Sequence, residues 1–208
     1  MVKGIVFDLD GTLVDSLPDI LNSFCYAFEV VGLSVPDQGE VHGQLGKPLW
    51  DMYCHFAPTD TISELVAAYR DHYPRHFLDH SRLFPGVKEV LTQLRNLDFS
   101  LAIATTKRTS SAIEFTNALG LDIYFDHIQG TDGFAFKPNP EVIYRALKAL
   151  GEAGLWMVGD SSTDIEAGKA ARLSTYAVTW GAHDAKRLRK SNPDALEPSL
   201  DRLLDLVL

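Results

Sequence analysis

Gly4-Ile5-Val6-Phe7-Asp8-Leu9-Asp10-Gly11-Thr12-Leu13 is the stretch whose reading decides the fold. Its first four residues are an apolar run that predicts a buried strand. Two carboxylates follow, two residues apart, with Gly-Thr directly after them. Aspartate is a poor strand residue, and burying a carboxylate without a partner is expensive. A cation, or chemistry, is the natural reason to place two there.

Outward from this strand the rhythm changes twice. Residues 16–81 are helix-like: Leu17, Ile20, Leu21, Phe24 and Phe28 fall at helical spacing behind a possible cap at Asp15-Ser16, and Gly32 stops the helix. Pro36, Gly39, Gly43 and Gly46 predict repeated turning over 35–46, and two more helices are expected over 49–56 and 62–78. From Leu83-Phe84-Pro85-Gly86 onward helices alternate with short apolar runs. Helices over 87–97, 110–119, 140–150 and 164–171 each precede a strand, over 100–105, 127–129, 155–159 and 175–179, and a last helix covers 199–206. Alternation of this kind implies an α/β fold, a doubly wound parallel sheet (Rossmann-like) covered on both faces. The first strand stands apart from that series. An insertion explains this: residues 1–15 and 82–208 form the Rossmann-like core, and 16–81 an inserted helical lobe.

The bulk composition sets limits. A chain of 208 residues, 46% hydrophobic and 23% charged, can bury a full core as one domain or a domain with an inserted lobe. A net charge of −9 argues against nucleic acid as the main partner, though a local cation can still draw in a small anion. Cys25 and Cys54 alone give neither a disulfide framework nor a zinc pattern, and read as reduced thiols. No basic-then-apolar leader precedes the first strand and no apolar stretch nears membrane-spanning length, so a cytoplasmic protein without a membrane partner is expected.

In an open parallel sheet, ligands bind beyond the carboxyl ends of the strands. At those ends the sequence collects polar residues: Asp8 and Asp10; Thr105-Thr106-Lys107; Asp160 with Ser161, Ser162 and Asp164; and Lys137 in the loop before Pro138-Asn139-Pro140. Asp8, Asp10 and Asp160 can supply the oxygen ligands that a hard cation such as Mg2+ prefers. Lys137 and Thr105 suit phosphoryl oxygens, helped by N–H groups at helix starts. Singly, each residue has an ordinary explanation. Asp160 can cap the next helix, Asp164 can complement its dipole, Thr105 is a common strand residue and Lys137 a solvated loop lysine. Four separate segments supplying complementary groups argue against coincidence.

These residues resemble the four motifs of the haloacid dehalogenase superfamily of phosphohydrolases. The run from Asp8 to Ser16 is similar to its first motif, Thr105 to the second, Lys137 to the third, and Gly159-Asp160-Ser161-Ser162-Thr163-Asp164 to the fourth, in that order and over essentially the whole chain. The place of the insertion resembles the subgroup with a small helical cap, most closely the phosphoglycolate phosphatase group, with which Lys137-Pro138-Asn139-Pro140 and Phe84-Pro85-Gly86-Val87 are phrases in common.

The resemblance implies Mg2+-dependent hydrolysis of a small phosphorylated metabolite. Asp8 would attack phosphorus to form an aspartyl-phosphate. Asp10 would protonate the leaving alkoxide and then deprotonate water. Metal ligation would come from Asp8, Asp160 and the backbone carbonyl of Asp10, with Asp164 ordering the outer shell or Lys137. Thr105, Thr106 and Lys137 would bind phosphate. Two departures stand out: Thr106 occupies a position where relatives commonly carry Asn, and Phe136 one where they often carry a basic residue. Asp10 argues against dehalogenation, which needs no proton for its leaving group, and against phosphonate cleavage, which Lys47 in Gly46-Lys47-Pro48 otherwise keeps open. Lys47 is instead expected either at the substrate's anionic end or simply in solvent. A sugar-phosphate mutase uses the same acid and nucleophile and is the main alternative; a pyrophosphatase and a non-catalytic binding module stand further off. Oligomeric state is not encoded in any readable feature.

Overall fold

A computed structural model describes residues 4–208. The chain divides into two compact units, one running to Asp15 and resuming over Leu83–Leu208, the other Ser16–Arg82.

The first unit is built on a six-stranded parallel sheet in the order β5-β4-β1-β6-β7-β8. Its strands are β1 (Gly4–Phe7), β4 (Ser100–Ala104), β5 (His127–Gln129), β6 (Gly154–Gly159), β7 (Ser174–Val178) and β8 (Ala195–Glu197). Two further strands, β2 (Val14–Asp15) and β3 (Arg82–Leu83), pair where the chain leaves this unit and returns. The sheet helices are α5 (Val87–Asn96), α6 (Thr109–Ala118), α7 (Glu141–Leu150), α8 (Ser162–Ala170), α9 (Ala185–Lys190) and α10 (Asp201–Val207). This is the doubly wound, Rossmann-like arrangement expected from the alternating pattern. All four residues of β1 are buried, and Ile5, Val6 and Phe7 each contribute about 1.5–3 kcal/mol through removal of apolar surface from water. The α7 face of Val142, Ile143 and Ala146 closes over Val6, Ala102, Ala104 and Met157 of the central strands. Register pairs Phe7 with Ile103 on one side and Val158 on the other, so the ends of β1, β4 and β6 lie level.

The second unit is helical: α1 (Leu17–Val31), α2 (Gln38–His42), α3 (Leu49–Phe56) and α4 (Ile62–His76). Gly32 ends α1 in the left-handed conformation, as its position in the sequence predicts. Ser16 begins that helix without a side-chain cap bond, contrary to the expected Asp15-Ser16 cap. Phe24 stacks on Tyr53 at 4.2 Å and packs against Phe28, which gives this unit its own apolar centre. Its polar anchor is Asp19. The buried carboxylate accepts from the Ser81 N–H and hydroxyl, both at 2.8 Å, and from His80 N–H at 3.0 Å and Nδ1 at 2.8 Å.

Burial alone would raise Asp19, but these bonds outweigh it and hold the group below the ordinary aspartate value of 3.8. A carboxylate lowered on folding stabilises fully above its unfolded value, and that stabilisation is lost as pH falls through the lowered folded one. We expect Asp19→Ala to cost about 2–3 kcal/mol at neutral pH, because the Ser81 and His80 donors lose their acceptor. Urea unfolding checks this: the gap between variant and wild type narrows only below about pH 4, and a gap that widened instead as pH fell would contradict the assignment. Among the described residues no helix is long and apolar enough to cross a membrane.

Candidate active site

β1 delivers Asp8 to the edge of the sheet, where its N–H continues the ladder by donating to Val158 O at 2.8 Å. The chain then turns tightly. Gly11 takes a left-handed conformation (φ 80°), and a Cβ there would lie 2.3 Å from Asp160 Oδ2, so both backbone and space demand glycine. β4 ends at Ala104 and places Thr105, buried, at the same edge. β6 ends at Gly159 and places Asp160. A Cβ on Gly159 would fall 2.3 Å from that of Asp164, so the missing side chain lets the start of α8 close onto the strand. There Ser161 and Asp164 form a reciprocal capping box: Ser161 accepts from the Asp164 N–H and Asp164 Oδ2 accepts from the Ser161 N–H at 3.0 Å.

These ends surround Lys137. Its Nζ donates to Asp8 Oδ1 at 2.7 Å, to Asp164 Oδ1 at 2.5 Å and to the Ala104 carbonyl at 3.1 Å. Lysine is rarely buried this fully unless paired. Burial would lower its pKa, but Asp164 and Asp8 outweigh that cost and hold the ammonium above its ordinary 10.5. Asp8, Asp160 and Asp164 are buried together, with one carboxylate oxygen from each within 4.8 Å of the others. Burial pushes Asp8 well above its ordinary value; Lys137 opposes that shift, and Asp164 and Asp160 add to it. Asp160 is pushed up to about 7 by burial and then by Asp164, against the Ala182 N–H and the Thr12 hydroxyl, which favour its charged form. More negative charge is collected here than one lysine offsets. The donors are all oxygen, the set that suits Mg2+ and similar hard cations, and in that respect the residues fit such an ion.

The structure thus brings Asp8, Lys137, Asp160 and Asp164 into one network, with Thr105 beside the Ala104 carbonyl that Lys137 holds. The carboxylate of Asp10 is not in the acidic trio. It accepts from Lys107 Nζ at 2.9 Å, so a metal role for Asp10 rests on its main-chain carbonyl. Asp164, expected in an outer shell, is one of the three clustered carboxylates and also the partner of Ser161. Asp160 does not cap α8, since Ser161 does. Thr106 is half-buried after β4. Lys47 belongs to the helical unit, where it is exposed and donates to Gln44 Oε1 at 2.6 Å.

Three contributions escape a reading of the sequence. Lys107 was visible beside Thr105 but gave no sign of pairing with Asp10. Thr12, whose hydroxyl donates to Asp160 Oδ1 at 2.7 Å, was visible only as part of Gly11-Thr12. The main-chain N–H of Ala182 donates to Asp160 Oδ2 at 2.6 Å, and a backbone donor leaves no mark in side-chain chemistry.

A carboxylate-rich edge of a Rossmann-like sheet, organised around a buried lysine, defines a hydrolase of the haloacid dehalogenase kind. The chain belongs to that family: residues 5–178 match the haloacid dehalogenase-like hydrolase model. It is 35% identical over 212 residues to pyrophosphatase PpaX of Halalkalibacterium halodurans, covering 99% of this chain and 97% of that protein. It is also 33% identical over 210 residues to phosphoglycolate phosphatase of Mesorhizobium japonicum, covering 96% and 92%. Among solved structures, a haloacid dehalogenase-like hydrolase from Streptococcus pneumoniae superposes with a TM-score of 0.90 at 32% identity, covering 100% of this chain and 99% of that one.

Proposed function

We propose that this enzyme is an Mg2+-dependent phosphatase that hydrolyses a small phosphate monoester through an aspartyl-phosphate, with phosphoglycolate as the leading substrate. The observation that carries the reading is Lys137 Nζ bound to Asp8 and Asp164 within an all-oxygen acidic cluster at the sheet edge. Lys137 favours the ionised, nucleophilic form of Asp8 against the burial that opposes it. Asp8 attacks phosphorus, a P–O bond to the carboxylate forms, and the ester P–O bond breaks. Asp10, held by Lys107, gives its proton to the departing alkoxide and later takes one from the water that cleaves the aspartyl-phosphate. Thr105 donates its hydroxyl to a phosphoryl oxygen, and the Thr106 N–H adds a second donor. Asp8, Asp160 and the Asp10 carbonyl would hold Mg2+, with Asp164 ordering its surroundings; when bound, the ion neutralises charge on the phosphoryl oxygens. The helical unit is read as the cap, with Lys47 as its candidate residue for an anionic substrate group. The working compartment is the cytoplasm.

Pyrophosphate is the second reading, favoured by the relative named as a pyrophosphatase. A panel of phosphoglycolate, pyrophosphate, a hexose phosphate and a nucleoside monophosphate decides between them, assayed for released phosphate with Mg2+ and with chelator. We expect Mg2+-dependent release with the highest kcat/KM for phosphoglycolate. A preference for pyrophosphate selects the second reading, a phosphorylated sugar isomer in place of free phosphate indicates a mutase, and no turnover of any compound defeats the phosphatase assignment.

A further inference from the structure

We infer that the loop Trp180-Gly181-Ala182-His183, directly after β7, is a clamp that sets the orientation of the Asp160 carboxylate, and that Gly181 and His183 are positioning residues for divalent-cation binding. The inference rests on the reading above that Asp160 holds the cation.

Every residue of the loop acts on Asp160 or on the segments beside it. The Ala182 N–H takes Asp160 Oδ2 at 2.6 Å, while the Thr12 hydroxyl takes Oδ1 at 2.7 Å. Each oxygen is therefore held by its own donor, and rotation of the carboxylate breaks one bond or the other. The His183 N–H donates to the Asp160 carbonyl at 3.3 Å. The buried His183 ring accepts from the Ser162 N–H through Nδ1 at 2.9 Å, which places the neutral ring's proton on Nε2 and ties the loop to the first turn of α8. That turn also contains the Ser161–Asp164 box, so one loop holds the start of both acidic positions on β6 and α8. Trp180 anchors the other end: its indole Nε1–H donates to Thr12 O at 3.2 Å, and its ring stacks on Phe84 at 4.8 Å.

Gly181 shows how tight the clamp is. Its backbone lies outside the left-handed region, so conformation does not require glycine there. Space does. A Cβ would lie 2.2 Å from Asp160 Oδ2, 2.3 Å from Gly11 O and 2.4 Å from Asp160 Cβ. The nearest atom is the carboxylate itself, so the smallest possible side chain displaces the one group the loop is built to hold.

Partners that orient a metal ligand without touching the metal typically set affinity by 10- to 100-fold. The test is calorimetric titration of Mg2+ into the full chain without substrate, for wild type, Asp160→Asn, Gly181→Ala, His183→Leu and His183→Asn. Each protein is also assayed for phosphate release with kcat and KM separated at saturating Mg2+. We expect Gly181→Ala and His183→Leu to weaken Mg2+ binding about 10- to 100-fold. His183→Asn, whose Oδ1 can replace Nδ1 as acceptor for the Ser162 N–H, is expected to restore it, and in Gly181→Ala and His183→Leu kcat at saturating Mg2+ is expected to stay closer to wild type than the Mg2+ affinity does. If Asp160→Asn abolishes binding while the Gly181 and His183 variants bind like wild type, the clamp is refuted and the metal reading stands. If Asp160→Asn binds like wild type, the metal reading fails and takes the clamp with it. Should Gly181→Ala not fold, the His183 pair decides alone: equal losses for Leu and Asn overturn the inference.

Discussion

Asp8→Asn is expected to lower phosphate release by about 10⁴-fold or more while leaving the fold intact, because the amide keeps the shape of the carboxylate and loses its nucleophilicity. The buried environment makes the second half of this expectation specific. Burial and the neighbouring Asp164 and Asp160 already work against the negative charge on Asp8. Lys137 keeps its bond to Asp164 when that charge is removed. The metal-free variant should therefore unfold at the same temperature as wild type or a higher one. Kinetics and calorimetry on one preparation check both halves. Full turnover in a correctly folded Asp8→Asn protein would end the covalent mechanism.

Lys137→Met removes the cation and keeps all but the last atom of the side chain's length. Breaking a buried ion pair from one side costs about 3–5 kcal/mol, and in a chain of this size each kcal/mol shifts the midpoint by about 2–4 °C. Loss of a preorganised charge at the phosphoryl group lowers kcat by a further factor of about 10²–10³. The pH dependence separates this from ordinary destabilisation. Asp160 sits at about 7 in the folded protein against an ordinary 3.8. An acid raised on folding binds its proton more tightly in the native state, so metal-free stability falls as pH rises from about 4 through about 7. We expect the metal-free wild type to melt lower at pH 8 than at pH 5, and added Mg2+ to raise the midpoint more at pH 8, where the carboxylates are ionised. Thermal scans of wild type and variant at both pH values measure this, and a Mg2+ increment larger at pH 5 would contradict the assignment of the ion to this cluster.

The long sheet elements were legible because burial wrote itself into composition. β1, β4, β6 and β7 are apolar runs with no alternative use, and the α5 and α7 periodicities face a core that needs them. Among the short elements β5 was expected at its observed bounds, 127–129, whereas β8, α9 and α2 were not expected. β8 has three residues between Pro193 and Pro198, and its pairing with β7 comes from the sheet rather than from its own propensity. α9 has a single buried apolar residue, Leu188, in a basic run, and α2 is five residues in a glycine-bearing segment started by the Asp37 cap. The site divides the same way. Asp8 and Asp160 announce themselves because charged residues beside apolar strands are costly and conspicuous, whereas Lys137, in a loop, stands out only together with them. Their partners were hidden when the contact comes from a backbone N–H, as at Ala182, or when it depends on how two loops meet, as for Lys107 and Asp10.

β1 pairs with residues 100–103 on one side and 154–158 on the other, so its neighbours lie far downstream in the chain. A ribosome adding about 5–20 residues per second makes Asp8 early and takes roughly 8–30 s more before Asp160 is joined to the chain. Until residues 100–103 are added Gly4–Phe7 has no strand of its sheet to pair with, and closing the sheet around it carries the entropy of a very long loop. The nascent chain therefore keeps Asp8 apart from lysine and acidic partners alike until Lys137, Asp160 and Asp164 have been added.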